Sequence, residues 1–416
     1  MSESADPRDE LILALSLRRI CRFTCPVWVI CVGIGPFVLD ACGDRTPTGG
    51  GKPSPGSVAW RAGTIRSPLS AGSLAVDSVH VYVYRSGLAI SAVRLSDRSI
   101  AWTAASDETF DNGAPLRGTA RCGGQVIFGS AGGALYAVSP DDGHREWRWV
   151  PSFGGDLGYG APICDAGRVY VSTGRPMYVY AVDAASGRQL WAVNLSRTTP
   201  GTGFVATPRI SDGVIVGCTR EFTDTISGMI AGVDANSGAV LWRHTWTPEA
   251  PTRDASCSVS VAAANGIAVG AADDGRVFGL DLRSGAVRWT APKIAGYVTG
   301  RDERPVWIVD GVVMVGSLSG VVTGLDLQTG TERWKSVDTD RVISTIIDPS
   351  LSGDRGQFTG ANTSGQILSF DATTGRRLWT TTPSGKLNEK LLFGPGVLTR
   401  DLLIAVASDG LYAIWR

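Results

Sequence analysis

The chain has 416 residues, 43% of them apolar, with 53 Gly and 13 Trp. That is enough apolar material for a large core and enough Gly for a turn-rich fold. Its 39 Lys and Arg balance its 39 Asp and Glu. No long run of one sign occurs, which argues against a nucleic-acid partner.

Residues 1–17 are mostly acidic among their charges, and Arg18, Arg19 and Arg22 then precede an apolar run over 23–39 that Pro26 and Pro36 interrupt. Basic-then-apolar is the order of an export signal. The run ends in Leu39-Asp40-Ala41-Cys42, which resembles a bacterial lipobox, with Asp40 where a small neutral residue is usual. Residues 1–42 are therefore expected to be a lipoprotein-type export signal with Cys42 as the lipidated residue. An uncleaved signal anchor and an unrelated buried segment are the alternatives, a run this short with two Pro being marginal for a membrane span. A twin-Arg reading of Arg18-Arg19 fits its neighbours poorly. Arg on the N-terminal side places the bulk of the chain on the extracytoplasmic side. Residues 43–56 (GDRTPTGGGKPSPG) have no apolar pattern and read as a flexible tether.

From 57 onward the chain repeats. Residues 181–191 (AVDAASGRQLW) return at 232–242 (GVDANSGAVLW), 279–289 (GLDLRSGAVRW), 324–334 (GLDLQTGTERW) and 369–379 (SFDATTGRRLW). Each copy sets an Asp eight residues, and a Gly four residues, before a Trp. The Asp can accept bonds from backbone N–H groups two or three residues on, which closes a turn. The Gly supplies a positive φ at the end of that turn, and the returning strand ends in a Trp that needs a buried slot. The unit is a β-hairpin with a wedge at its end. Two further copies are degenerate: 92–102 has Arg94 and Arg98 in place of Asp and Gly, and 137–147 keeps Gly143 but has Ser139 for Asp. The Trp residues are then Trp102, Trp147, Trp191, Trp242, Trp289, Trp334 and Trp379, spaced by 44–51 residues. A period near 45 built from strands points to a propeller rather than a helical solenoid. A strand pair precedes each hairpin, so each repeat makes one four-stranded blade.

The ends of the array complement each other. Residues 402–416 stop before a final strand and Trp, whereas Val58-Ala59-Trp60 is an outer strand with no hairpin before it. The expectation is an all-β, eight-bladed propeller over 57–416, closed by the N-terminal strand, with Trp60 as the eighth repeat Trp. Closure removes the open edges that a line of sheets would expose.

The pattern Ala/Gly-Leu-Asp-x-x-Ser/Thr-Gly-x-x-x-Trp resembles the PQQ-type β-propeller repeat, a family in which the Trp docks on the neighbouring blade. Within it, an exported propeller of this length is most similar to the propeller lipoproteins of the outer-membrane β-barrel assembly machinery. The family also contains quinoprotein dehydrogenases, whose PQQ lies above a calcium ion and usually beside a disulfide of adjacent Cys. No two Cys are adjacent here, so the resemblance implies no cofactor and no metal.

No other stretch carries catalytic chemistry on its face. Asp183, Asp234, Asp281, Asp326 and Asp371 read as turn residues on separate blades, too far apart to share an ion. Asp141-Asp142-Gly143 and Asp273-Asp274-Gly275 do not continue as calcium loops and read as hairpin turns. Residues 201–206 (GTGFVA) match a dinucleotide fingerprint in letters only. His80, His144 and His244 are widely separated; for His144 and His244 a surface or packing role is expected, since no Cys or His lies at ligand spacing. Four array Cys allow three pairings. Neighbour pairing, Cys122–Cys164 and Cys218–Cys257, is the most economical in an oxidising compartment, with buried free thiols as the alternative. The loops at 147–160, 242–253 and 293–304 differ most between copies, and the first two carry aromatics beside Arg, a composition suited to protein recognition. The expected function is a monomeric, non-enzymatic envelope scaffold that binds protein partners and is held to the membrane by its N-terminus. A small-molecule or polysaccharide binder in the channel, and a PQQ-dependent oxidoreductase, are the alternatives.

Overall fold

The computed structural model describes residues 53–63, 74–85, 89–106, 118–130, 133–153, 161–173, 178–195, 208–222, 226–246, 261–272, 274–294, 306–316, 321–337, 343–347, 356–362, 365–384 and 393–416. Among the described residues there are 32 strands and no helix, arranged as eight four-stranded antiparallel sheets, the blades of an eight-bladed propeller. Cys42 and the rest of residues 1–51 lie outside the described residues.

Blade 3 shows the plan: Ile163–Asp165, Arg168–Ser172, Tyr178–Asp183 and Gln189–Asn194 follow one another across the sheet. The innermost strands of blades 1 to 8 are Ala75–Val76, Thr119–Cys122, Ile163–Asp165, Arg209–Ser211, Val261–Ala264, Val306–Val309, Ile343–Ile347 and Phe393–Leu398. Neighbouring innermost strands touch from blade 1 through blade 6 and between blades 7 and 8. Second and third strands are sandwiched between blades on both faces, so they read as near-continuous apolar runs: every residue of Val312–Gly316 is buried. Outer strands alternate, as in Val240–Trp246, where Trp242 and Trp246 are buried between exposed residues.

Each of the seven outer hairpins has the same local geometry. The register slips by one residue beside the position facing the Trp, for example between Gly279 and Leu280 and between Ser369 and Phe370. This is a type I turn followed by a left-handed residue in a bulge. Gly285 has φ 70° at that position, and the degenerate first copy forces the same conformation on Arg98, φ 65°. The Asp and the Gly of the motif therefore matter less than the turn they close.

The ring closes through Val58–Ala62, which pairs antiparallel with Gly410–Trp415 as the outer strand of blade 8. Trp60 packs with Ala59 against a cluster that unites Val81, Val83 and Val93 of blade 1 with Ile404, Val406 and Ala413 of blade 8. One boundary needs correction. Gly56, assigned from sequence to the free tether, is buried, and its N–H donates to Trp415 O at 2.7 Å, while a Cβ on it would lie 3.1 Å from the Trp379 ring. Hydrogen bonds explain why. Gly56 N to Trp415 O and Trp415 N to Ser57 O repeat Gly375 N to Asp371 O and Asp371 N to Arg376 O of blade 7. The closure is an ordinary outer hairpin cut open in its turn, and Gly56 is its turn glycine.

Candidate functional site

The repeat Trp residues are the joints between blades. The Trp242 ring is flanked by Gly232 of its own blade and Gly285 of the next, where an added Cβ would come within 2.4 and 2.6 Å of it. Its Nε1–H donates to Leu282 O at 2.9 Å. Trp102, Trp147, Trp191, Trp289 and Trp334 donate likewise to Pro140, Ala184, Ala235, Leu327 and Ala372. Trp379 Nε1, at the closure, is buried without an acceptor.

One face of the ring carries the first and third turns of each blade, and these turns are bonded to one another. Ala184 N donates to Gly167 O, Ala235 N to Gly213 O, and Leu282 N to Gly266 O. Asp183, Asp234, Asp281, Asp326 and Asp371 all sit in these turns and accept from the Ser or Thr three residues on. Arg288 holds the Asp281 carboxyl well below the usual range, and Arg333 lowers that of Asp326 to about 2. Links also cross between blades: Arg168 of blade 3 donates to Ala235 O and Asn236 Oδ1 of blade 4, and Arg283 of blade 5 to Asp212 O of blade 4. Cys122 and Cys164 join blades 2 and 3 in a disulfide, Cα–Cα 5.6 Å. Cys218 is also disulfide-bonded; Cys257 lies outside the described residues. The first turns were missed in the sequence. Their signal is a two-residue x-Gly turn, in which Ala166, Asp212, Asn265 and Asp310 all have positive φ ahead of a Gly that does too.

The other face carries the second turns and the connections between blades. Connections 154–160, 196–207, 247–260 and 295–305 lie outside the described residues, and with them most of the expected recognition loops, residues 201–206 and Asp273. The described rim is aromatic in two places. Between blades 2 and 3, Phe153 is 57% exposed and stacks on Tyr178 at 4.8 Å, Tyr178 neighbours Tyr180, and Trp149 meets Tyr180 edge-on at 5.2 Å. Val150 beside them is 48% exposed. Between blades 4 and 5, Trp246 packs on Phe278 at 5.1 Å with His244 against both, and Arg276 pairs with Asp274 at 2.7 Å in a nearly buried ion pair.

The His residues are not brought together. His80 is in blade 1. His144 is exposed between Asp142 and Glu146, and its hydrogen bond to Asp142 raises its pKa. Burial pushes the His244 pKa down. Asp142 and Asp274 each serve their own turn, accepting from His144 N and Arg276 N. Among the described residues no group of three or more His, Cys, Asp or Glu could hold a metal ion. What this rim can do chemically is present one flat apolar ring, Phe153, with the exposed Val150 nearby, to another molecule; the rings between blades 4 and 5 are buried.

The family model described as outer membrane protein assembly factor BamB matches residues 52–155, 133–317 and 178–416. The outer membrane protein assembly factor BamB of Yersinia pestis is 26% identical over 187 residues, covering 43% of this chain and 44% of that protein. The chain thus matches less than half the length of that curated relative. BamB from Moraxella catarrhalis superimposes with a TM-score of 0.62 at 16% identity, over 85% of this chain and 98% of that one. Quinohemoprotein alcohol dehydrogenase from Comamonas testosteroni gives 0.63 at 14% identity, over 84% and 72%. At such identities the two superpositions show the fold alone.

Proposed function

Because the chain belongs to the family described as outer membrane protein assembly factor BamB, we propose that it is a non-enzymatic, envelope-associated propeller that holds a protein partner. The observation that carries this reading is that the family match runs from residue 52 to 416, the whole ring, rather than over a few repeats. Fold alone would not carry it, since alcohol dehydrogenases share the ring. The Phe153–Tyr178 shelf supports it: an exposed ring stacked on a half-buried one is a preorganised anchor of the kind protein interfaces use. Residues 18–42 support an exported location with Cys42 as the anchor. A second reading, a small molecule in the central channel, is favoured by one observation only, the reach of Arg209 in blade 4 past blade 5 to the Trp307 ring in blade 6 at 4.8 Å.

The test is crosslinking of full-length protein in membranes, followed by identification of bound proteins for the parent and for a Val150→Ser, Phe153→Ser double variant of equal melting temperature. One specific partner, lost in the double variant, supports the scaffold. A quinone-type absorption band with dye-linked alcohol oxidation in purified protein refutes it.

A further inference from the structure

In the third turn of blade 2 the repeat motif is inverted. The five clean copies place a carboxylate at the base of the turn and a hydroxyl three residues on, so that Ser186 Oγ donates to Asp183 Oδ1. Blade 2 has Ser139 at the base and Asp142 three residues on. Ser139 and Asp142 still bond to each other. The carboxylate, however, now sits near the tip, where it accepts from His144 N at 3.1 Å and reaches the His144 ring.

His144 lies between two carboxylates of its own hairpin. Its Nδ1 is 2.7 Å from Asp142 Oδ1, and its Nε2 is 3.1 Å from Glu146 Oε1. A neutral imidazole has one N–H and one lone pair, so it can donate to only one of them; the imidazolium donates to both. The charged form is the one this geometry fits. The bond to Asp142 is the first cause that raises the His144 pKa, Glu146 adds to it, and Asp142 itself is lowered to about 2. Asp141, Arg145 and Arg148 are the other charges of the hairpin. In blades 5 and 6 the turn carboxylates Asp281 and Asp326 are paired with Arg288 and Arg333, cations that keep their charge at any working pH. In blade 2 the cation is one that titrates near neutrality.

The same turn is the socket of a joint. Gly143 lies against the Trp102 ring of blade 1, where an added Cβ would fall 2.5 Å from it, and Pro140 O accepts from Trp102 Nε1 at 2.8 Å. Two bonds close the turn, Gly143 N to Ser139 O and Ser139 N to His144 O. We propose that His144 is a pH-responsive staple of the joint between blades 1 and 2, holding the Trp102 socket more firmly as imidazolium than as neutral imidazole. Because folding raises its pKa, its contribution is whole below the unfolded value of about 6.5 and fades as pH rises through the folded one. The staple belongs to the ring itself and is independent of the protein-partner reading.

Two measurements on the full chain test this. The chain has three His, so the ring signal of His144 in an NMR titration is identified by its loss in His144→Gln. It should titrate above about 6.5 and move toward that value in Asp142→Asn, which keeps the acceptor and removes the charge. Hydrogen exchange, corrected for its intrinsic pH dependence, then compares the Gly143 amide with that of Gly187, which makes the same bond to Asp183 O in blade 3. Expected is a Gly143-to-Gly187 protection ratio that falls about two- to fivefold from about pH 5.5 to about pH 8.5, the scale of an exposed ion pair. In His144→Gln, an exposed substitution, the ratio should stay level. The staple is overturned if the parent ratio stays level, if His144→Gln changes as the parent does, or if His144 titrates at or below about 6.5. It is equally overturned if Asp142→Asn leaves that titration where it was.

Discussion

Removing residues 1–62 should open the ring, and the cost can be worked from the closure strand. The deletion removes the two hairpin bonds of Gly56 and Ser57 with Trp415, at about 1 kcal/mol each. It also removes Trp60, a half-buried ring packed between blades 8 and 1. At partial burial that side chain contributes about 2–3 kcal/mol, below the roughly 3–5 for a fully buried aromatic. The sum, about 4–5 kcal/mol, rivals the whole stability of a marginal domain, about 5–15 kcal/mol. It omits the ladder from Val58 to Ala62 and the Arg61–Asp409 ion pair. The deletion also bares the outer edge of Gly410–Trp415. Removing residues 1–52 spares all of this and should leave the melting temperature unchanged. Size-exclusion chromatography with light scattering and thermal unfolding separate the two. A monomeric 1–62 deletion that melts like the parent would falsify the closed ring.

Four further outcomes are expected. Gly285→Ala should destabilise by about 2–4 kcal/mol in denaturant titration, from a left-handed alanine and a Cβ driven toward Trp242, while Arg98→Gly, at the equivalent position, should stabilise by about 0.5–1 kcal/mol. Asp281 and Asp326 have folded pKa values below the unfolded value of about 4; they add stability above it, which for Asp326 is lost as pH falls from about 4 to 2 and for Asp281 over a range that extends lower, and Asp326→Asn should flatten the upper part of that curve. Non-reducing peptide mapping should link Cys122 to Cys164, and reduction of a bridge spanning 42 residues should cost about 4 kcal/mol by chain entropy. Mass spectrometry of the membrane fraction should find Cys42 as the lipid-bearing first residue, whereas an intact N-terminus ahead of residue 23 would favour the signal anchor.

The ring was legible because its information is local. The Asp, Gly and Trp of five repeats each specify a hairpin, two degenerate copies keep its Trp, and seven hairpins at a period near 45 leave few ways to pack. The slot of each Trp was not legible, since it lies between its own Gly232-type position and the turn glycine of the following repeat. Gly56 was hidden for another reason: its Ser-Pro-Gly context reads as tether, and only the bond to Trp415 reveals it as turn. Arg209 and Trp307 belong to no repeat position. Nothing in their spacing marks them until the alanine strand of blade 5 is folded between them.

The cut hairpin of blade 8 has a consequence in time. Arg61 meets Asp409 across 348 residues of chain, and the first of the described strands pairs with the last. Seven blades need only neighbours and can form as they are made, whereas the eighth waits for the complete array. Such a long-range pairing is expected to form slowly. Until then Val58–Ala62 is a strand without a sheet, exposed to any open edge nearby. Joining Arg416 directly to Ser54, and opening the chain at another outer turn such as 284–285, would make this pairing local. Refolding of that permutant should be faster, and the rate-limiting seam should move to the new cut.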